Sequence, residues 1–446
     1  MPHRIYKRID EGRDSREPSQ LPQLADSDLS PEAAAAAYTV DLALIRPLAH
    51  RAVSVFLQND QFENLNFKFD KLMARILMEC LQPYIHTAGG EVVKVINFES
   101  DAGCNTSACS ADVNADGNFL LEGHMFIYFA NERVVVSISQ GFGPAEFTIR
   151  LCSTGDARTF FNKWESYARA HNSLRGRSFF ADGKLIKREN RYSSDSIVMP
   201  KDTRETIRMH VEAFLQNLET LKQYNVKQRR GLILAGEPGT GKTLLGKVLA
   251  DTLNVSFIWA LPRHIRTADS FSELLSLANF VAPTVLFLED VDLYAEDREA
   301  KGWLGLGELM NQLDGVLDNE GVITIATTNR LAVIESALRN RPGRFDRVVI
   351  FEAMDENCRR VMVERLLSKA AVSRDDVEHL VSATEACTGA QIEEISNTIY
   401  ISAVSQAAEH GIELAGKAVP VDRSSIDTAI AQVVCNRNSE LGFNAE

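Results

Sequence analysis

No run of about 18 apolar residues, the length that a membrane-spanning helix requires, occurs in this sequence. The most apolar stretch, residues 33–57, is interrupted by Asp41, Arg46 and Arg51. The N-terminal residues are polar and charged and lack the apolar segment of a secretory signal. We therefore expect neither a membrane span nor a signal peptide.

Cysteine is scarce, with seven residues scattered among 446. An odd, dispersed set in so long a chain does not indicate a disulfide framework and is typical of a reducing cytoplasm. Cys104 and Cys109 form a close pair with His124 beyond them, but no second close pair completes a zinc-binding set. We expect a cytoplasmic protein without structural zinc.

Positive charge is in deficit, because 48 lysine and arginine residues oppose 61 acidic residues and give a formal net charge of −13. This balance disfavours binding to DNA or to an anionic membrane. No nucleic-acid-binding module is recognisable, so nucleic acid is not an expected partner. The locally basic stretch 175–191 is interpreted either as a solvated connector or as a basic contact surface.

Composition and periodicity divide the chain into five segments. They are a flexible arm (1–28), an α+β domain (29–181), a linker (182–196), a core of alternating strands and helices (197–354), and a helical lid with a C-terminal tail (355–446). Alternation of strands and helices predicts an α/β fold with a parallel sheet covered by helices on both faces.

The α+β domain begins with a helix start at Ser30, Pro31 and Glu32. Apolar periodicity predicts a second helix over 67–81 that ends before Pro83. Four β-rich stretches and a helix are then predicted, at 91–98, 119–130, 133–139, 145–152 and 156–171. No catalytic motif is recognisable in this domain.

The decisive motif lies in the core, where eight residues fit G-x-x-x-x-G-K-[ST]. They are Gly236, Glu237, Pro238, Gly239, Thr240, Gly241, Lys242 and Thr243. An apolar strand leads into the motif and a helix follows from Leu244, which we include among the nucleotide-binding residues. Glycines let the backbone wrap phosphates, Lys242 is predicted to reach the β- and γ-phosphates of ATP, and Thr243 is predicted to bind Mg²⁺.

Polar residues end two further apolar strands. Glu289 and Asp290 follow the predicted strand 284–288, and one of these acids is expected to hold Mg²⁺ while the other orients the attacking water. Asn329 follows the predicted strand 322–326 and could orient water near the γ-phosphate, although asparagine is also common in turns that end strands.

Three arginines occur within the seven residues 341–347. They are compatible with a solvated loop. If the protein assembles as a ring, Arg341 and Arg344 could instead reach the γ-phosphate bound by a neighbouring subunit.

The four motifs together resemble the AAA family of ATPases over about residues 195–410. The resemblance implies Walker A roles for Lys242 and Thr243, the sensor 1 role for Asn329, and finger roles for Arg341 and Arg344. It also implies a homo-oligomeric ring, with six subunits expected.

The resemblance extends to the lid and to the order of the two acids. Thr388, Gly389 and Ala390 resemble the small motif that opens a lid helix near the adenine and ribose. The usual Walker B ending is Asp-Glu, so by position Glu289 takes the Mg²⁺ role and Asp290 the water-orienting role. A similar Glu-Asp order is found in relatives of the mitochondrial Rieske-protein translocase, whose soluble relatives are the expected nearest group.

The segment 261–270 departs from family members that thread their substrates, because it lacks their aromatic–apolar–glycine loop. Trp259 precedes it and is interpreted as a core residue. Arg263, His264 and Arg266 are interpreted either as pore-lining residues or as an ordinary exposed loop.

Three functions remain open at this point. The first is an ATP-driven remodeller, chaperone or translocase whose N-terminal domain chooses a protein client. The second is a nucleotide-gated switch or scaffold that moves a folded partner without threading it. The third is a nucleic-acid-associated loader, against which the net charge of −13 argues.

Overall fold

The computed structural model divides the chain into two compact units, Met1–Arg175 and Gly176–Glu446. It describes residues 53–58, 62–97, 123–140, 146–187, 191–295, 309, 312, 320–332, 334, 345–410, 412–414 and 417–438. The expected arm 1–28, the helix start at Ser30, and the cysteine pair Cys104 and Cys109 lie outside the described residues.

The N-terminal unit contains a five-stranded antiparallel sheet in the order β1-β5-β4-β3-β2. Its elements are β1 (Glu63–Asp70), α1 (Lys71–Thr87), β2 (Glu91–Asn97), β3 (Gly123–Phe129), β4 (Glu132–Gln140), β5 (Glu146–Ser153) and α2 (Ala157–His171). Helices α1 and α2 pack against each other and against β1 and β5. The unit is centred on buried aromatic residues such as Trp164 and Phe161.

The helix predicted over 67–81 is wrong at both ends. Residues 67–70 belong to β1, where Leu65, Phe67 and Phe69 alternate with polar residues, a period that indicates a strand. Helix α1 begins after Asp70, whose carboxylate accepts the N–H groups of Leu72 and Met73 as an N-cap. The helix continues through Pro83 because the following turn, with Tyr84 and Ile85, is buried in the core.

The C-terminal unit is built on a six-stranded sheet in the order β11-β7-β10-β9-β8-β6, with every neighbouring pair parallel. Its elements up to the lid are β6 (Ser178–Phe180), α3 (Lys201–Ile207), α4 (Phe214–Gln216), α5 (Leu218–Gln223), β7 (Arg229–Gly236), α6 (Lys242–Thr252), β8 (Ser256–Ala260), α7 (Ala268–Phe280), β9 (Thr284–Leu288), β10 (Val322–Thr328) and β11 (Arg347–Phe351). The predicted parallel α/β sheet is therefore confirmed.

The start of this unit differs from the expected boundary after residue 181. Strand β6 pairs with β8, and its Phe179 is fully buried. The described part of the expected linker 182–196 also packs on the core, through Ile186 and Tyr192. The Tyr192 N–H donates to Asp251 Oδ2 at 2.9 Å. A few apolar residues among the charges are enough to hold this polar stretch against the sheet.

The remaining elements fall in the segment expected to be a helical lid, and they pack around a core of their own. They are α8 (Glu356–Leu366), β12 (Ala370–Ala371), α9 (Arg374–Ala383), α10 (Gly389–Glu409), β13 (Val419–Pro420) and α11 (Arg423–Asn438). Buried aliphatic residues of these helices, including Val363, Leu380 and Ile395, form that core. Within the described ranges, no helix is long and apolar enough to cross a bilayer.

Candidate nucleotide site

Two glycines fix the path of the loop between β7 and α6. A Cβ on Gly236 would collide with the backbone oxygen of Phe351 on the neighbouring strand β11. Gly241 has a φ of +102°, a left-handed conformation that disfavours other residues. Helix α6 begins directly after it, so the unpaired N–H groups of its first turn point into the loop. The loop therefore offers the cradle that phosphate groups require.

Lys242, the first residue of α6, turns its side chain back over this loop. Its Nζ donates to the backbone oxygens of Gly236 at 2.7 Å and Glu237 at 2.9 Å. Burial lowers the pKa of Lys242, while the nearby carboxylates of Asp290 and Asp292 oppose that effect. A cation is thus held where the charge of a bound phosphate must be offset.

Thr243 and Glu289 form a hydrogen-bonded pair between α6 and the end of β9. The Thr243 hydroxyl donates to Glu289 Oε1 at 2.6 Å. The other oxygen, Oε2, accepts the indole N–H of Trp259 at 3.0 Å. A hydroxyl and a carboxylate are the hard oxygen donors that Mg²⁺ prefers, so the chemistry of this pair fits that ion.

Trp259 has a role that the sequence interpretation missed. It is buried near the end of β8, and its ring packs at a tilt against those of Phe257 and Phe287, as expected of a core residue. Its one polar atom is nevertheless directed at Glu289. The need of a buried indole N–H for an acceptor could have suggested such a partner, but the sequence does not specify which one.

Asp290 faces a different set of partners from Glu289. Its φ of +49° is left-handed, and its N–H donates to Thr327 Oγ1 at 2.9 Å. The Asn329 amide donates to Asp290 Oδ1 at 3.4 Å. Burial raises the pKa of Asp290, and the charges of Glu289 and Asp292 add to the effect. The two adjacent acids are therefore separated, one bonded to α6 and the other to the end of β10.

Asp292 is a third acid that the sequence reasoning overlooked. It is only 4% exposed, and its Oδ1 accepts the backbone N–H of Asn329 at 3.2 Å. The carboxylate therefore helps to fix the backbone at Asn329 and adds negative charge near Lys242. Its place two residues after a pair of acids at a strand end was an available sequence cue.

The lid meets the loop through the predicted Thr388, Gly389 and Ala390. Thr388 is the N-cap of α10, and the Ala390 N–H donates to Gly239 O at 3.1 Å. Gly239 has a φ of +81°, and a Cβ on it would lie 2.8 Å from the Ala390 Cβ. The glycine is thus required by both its backbone and its neighbour, and the structure brings these three residues to the loop.

Other predicted residues are not brought to the same point. Arg341 and Arg344 lie outside the described residues. Leu244 packs partly buried against the hydrophobic core of the unit. In the segment after β8, Arg263 and Arg266 are exposed, whereas His264 is half-buried and accepts the Leu261 N–H at 3.2 Å.

Over the described positions, no cluster of three or more histidine, cysteine or acidic residues could hold a metal ion.

These features define a P-loop nucleotide site at the carboxyl edge of a parallel sheet. Residues 232–353 match the family described as "ATPase family associated with various cellular activities (AAA)". This span therefore matches an AAA ATPase domain, and it contains the loop and the acids at the strand ends.

Several curated proteins are similar to about half of this chain. The ATP-dependent zinc metalloprotease FTSH 7 of Arabidopsis thaliana chloroplasts is 33% identical over 205 residues, which are 43% of this chain and 25% of that protein. The FtsH metalloprotease of Halothermothrix orenii is 31% identical over 235 residues, 50% of this chain and 37% of that protein. The proteasome-activating nucleotidase of Methanocaldococcus jannaschii is 29% identical over 222 residues, 46% of this chain and 51% of that protein.

The similarity thus spans between a quarter and about half of these relatives. The zinc in the names of the metalloproteases is theirs, and the present sequence contains no H-E-x-x-H, the helical zinc motif of one large class of metalloproteases. None of these names is of the Rieske-protein translocase branch, so the resemblance to that branch stays a prediction.

Proposed function

We propose that this protein hydrolyses ATP and uses the cycle to remodel a protein client. One observation carries the proposal. At a single edge of the sheet, Lys242 and two separate hydrogen-bonded pairs converge, Thr243 with Glu289 and Asn329 with Asp290. One pair suits metal binding and the other suits the orientation of a water molecule, which are the two tasks of phosphoryl transfer to water.

The two acids divide these tasks in the proposed mechanism. Glu289 shares a hydrogen bond with the Thr243 hydroxyl and so belongs on the Mg²⁺ side. When bound, Mg²⁺ offsets the charge that develops on the phosphate oxygens. Asp290 orients and deprotonates the attacking water, and its raised pKa makes it a better proton acceptor than an ordinary aspartate. Asn329 holds the Asp290 carboxylate in place from the neighbouring strand end.

The client is proposed from the relatives and from the separate N-terminal unit. The relatives include ATP-dependent proteases and a proteasome-activating nucleotidase, by their names. We propose that the N-terminal unit selects a protein client, that six copies assemble as a ring, and that Arg341 and Arg344 complete the site of a neighbour. The buried free thiols of Cys80, Cys152 and Cys358 are compatible with the proposed cytoplasmic location.

The test compares ATP turnover of the wild type with Lys242→Ala and Asp290→Asn, with assembly followed by sedimentation. The proposal predicts turnover by the wild type, loss of ATP binding in Lys242→Ala, and ATP binding without turnover in Asp290→Asn. A wild type that binds ATP in the presence of Mg²⁺ but never releases phosphate would overturn it.

A nucleotide-gated switch that does not thread its partner is the second candidate. It is favoured by the segment after β8, which forms a turn at Pro262–His264 and contains no aromatic residue for gripping an extended chain. The indole of Trp259, which precedes the segment, is buried and bonded to Glu289. A client with a fluorescent folded domain separates the two candidates, because threading destroys its fluorescence and switching preserves it.

A further inference from the structure

The Glu289 carboxylate is held from two sides by groups with very different freedom. Thr243 is exposed at the start of α6, and the hydrogen of its hydroxyl can turn to suit the acceptor that it meets. Trp259 is 5% exposed, and its ring lies 4.8 Å from the ring of Phe287 and 5.9 Å from that of Phe257, measured between centroids. The indole N–H is therefore the fixed point of this three-residue arrangement.

The backbone places Glu289 so that both contacts are made at once. The Glu289 N–H donates to Ala260 O at 3.0 Å, which ties the end of β9 to the end of β8 beside Trp259. From that anchor, the side chain reaches Trp259 with Oε2 at 3.0 Å and Thr243 with Oε1 at 2.6 Å. An aspartate at this position would be one methylene shorter, and its carboxylate would not span the same two partners.

We propose that Trp259 is a positioning residue for the metal-binding edge of the site, because its indole N–H binds one oxygen of Glu289 and thereby turns the other toward Thr243. The inference rests on the proposed function, since it takes Thr243 and Glu289 as the pair that holds Mg²⁺. It also supplies a physical reason for glutamate at this position.

Partners that orient metal-binding groups commonly contribute tenfold or more to metal affinity. Removal of the indole N–H leaves the carboxylate held by Thr243 alone, at Oε1. Trp259→Phe should therefore weaken Mg²⁺ binding by roughly tenfold while the affinity for metal-free ATP stays nearly unchanged. A packing defect alone would lower thermal stability without producing that split.

The experiment measures Mn²⁺ binding by electron paramagnetic resonance, with Mg²⁺ as competitor, in the presence of a non-hydrolysable β,γ-imido analogue of ATP. The full chain is used as wild type, Trp259→Phe, Thr243→Ala and Trp164→Phe. Trp164 is a matched control, since it is also a buried tryptophan whose N–H is bonded, to Leu77 O at 3.0 Å in the N-terminal unit. Thermal unfolding of all four proteins is recorded beside the binding data.

A second arm uses Glu289→Asp. If Trp259 acts through the long carboxylate, then Trp259→Phe should cost roughly tenfold in the wild-type background but less than about twofold in the Glu289→Asp background. If the two substitutions acted independently, their fold-losses in metal affinity would multiply in the double variant.

The results separate the proposed role of Trp259 from the proposed metal site of Thr243 and Glu289. Metal binding that Thr243→Ala abolishes and Trp259→Phe weakens, with Trp164→Phe unchanged, supports the inference. Equal metal affinity in wild type and Trp259→Phe, with Thr243→Ala defective, overturns the role of Trp259 and leaves the proposed metal edge intact. Failure of the wild type to bind metal with the nucleotide analogue overturns both.

Discussion

The two sheets of this protein place their polar residues in contrasting ways. In the parallel sheet, β7, β9 and β10 all end at the same edge, so residues far apart in sequence meet there. In the antiparallel sheet, neighbouring strands end on opposite sides, and polar side chains pair across the strands, as His124 does with Ser137 at 2.6 Å. In the parallel sheet, the polar residues at the strand ends therefore lie together and can form a site. In the antiparallel sheet, similar residues pair across strands and stabilise the fold.

The largest effect is expected at the loop of the parallel sheet. Lys242→Ala should lower ATP turnover by at least about a hundredfold, because the cation that offsets phosphate charge is removed. Lys247→Ala on the same helix is the control, since Lys247 lies over the ring of Tyr192 instead. Equal losses in the two variants, measured by phosphate release, would show that the loop has no special role.

Two effects of opposite sign, a loss of ATP turnover and a gain of thermal stability, are expected when Asp290 is replaced. Asp290→Asn should lower turnover by roughly a hundredfold while ATP still binds. Because burial raises the pKa of Asp290, the charged form destabilises the folded state, most strongly at pH values above the folded-state pKa. The variant should therefore unfold at a higher temperature than the wild type at pH 7, and the gain should shrink as the pH falls toward the ordinary range of aspartate.

The control for Asp290 is Asp269→Asn, an acid in the first turn of α7. It should leave turnover unchanged and should not raise the unfolding temperature. Thermal unfolding at pH 7 and pH 4.5, beside turnover, checks both statements. A loss of stability in Asp290→Asn at pH 7 would contradict the predicted direction.

In the antiparallel sheet, the same kind of test should affect stability alone. Burial, helped by the charge of Arg150, lowers the pKa of His124 to about 4. Unfolding lets this histidine bind a proton, so the N-terminal unit should lose on the order of 3 kcal/mol as the pH falls from about 6.5 to 4. His124→Gln should flatten that dependence in urea unfolding.

The exposed His171, which stacks on Tyr167 in α2, provides the control. His171→Gln should leave the pH dependence of unfolding as it is in the wild type. ATP binding should be unaffected by either variant. A His124→Gln protein with the wild-type pH dependence would show that this half-buried histidine does not set it.

The smallest effect is expected where the lid touches the loop. Gly239→Ala should destabilise the C-terminal unit by about 1–2 kcal/mol, because of its left-handed backbone and its collision with Ala390. Gly176→Ala has a similar left-handed φ of +69° with nothing within 4 Å of the added Cβ, so it isolates the backbone cost. We expect Gly239→Ala to lose more ATP affinity than Gly176→Ala. Equal affinities would show that the contact between Gly239 and Ala390 does not contribute to ATP binding.

The contrast also explains what the sequence could predict. A loop motif is contiguous, so Gly236 to Thr243 were identified directly, and the parallel sheet followed from alternating strands and helices. The bond between Trp259 and Glu289 joins residues on different strands, and no local pattern encodes it. The missed strand β6 is three residues long and has no period of its own to detect. The helix error at 67–81 arose because a short alternating strand runs directly into a helix.

The division of labour between the two acids at the end of β9 is tested most directly by the Mg²⁺ dependence of ATP binding and turnover in Glu289→Gln and Asp290→Asn side by side. We expect Glu289→Gln to require more Mg²⁺ for both, and Asp290→Asn to bind ATP at the wild-type Mg²⁺ concentration without hydrolysing it. The opposite pattern, with the metal defect in Asp290→Asn and the arrested ATP complex in Glu289→Gln, would contradict the assignment.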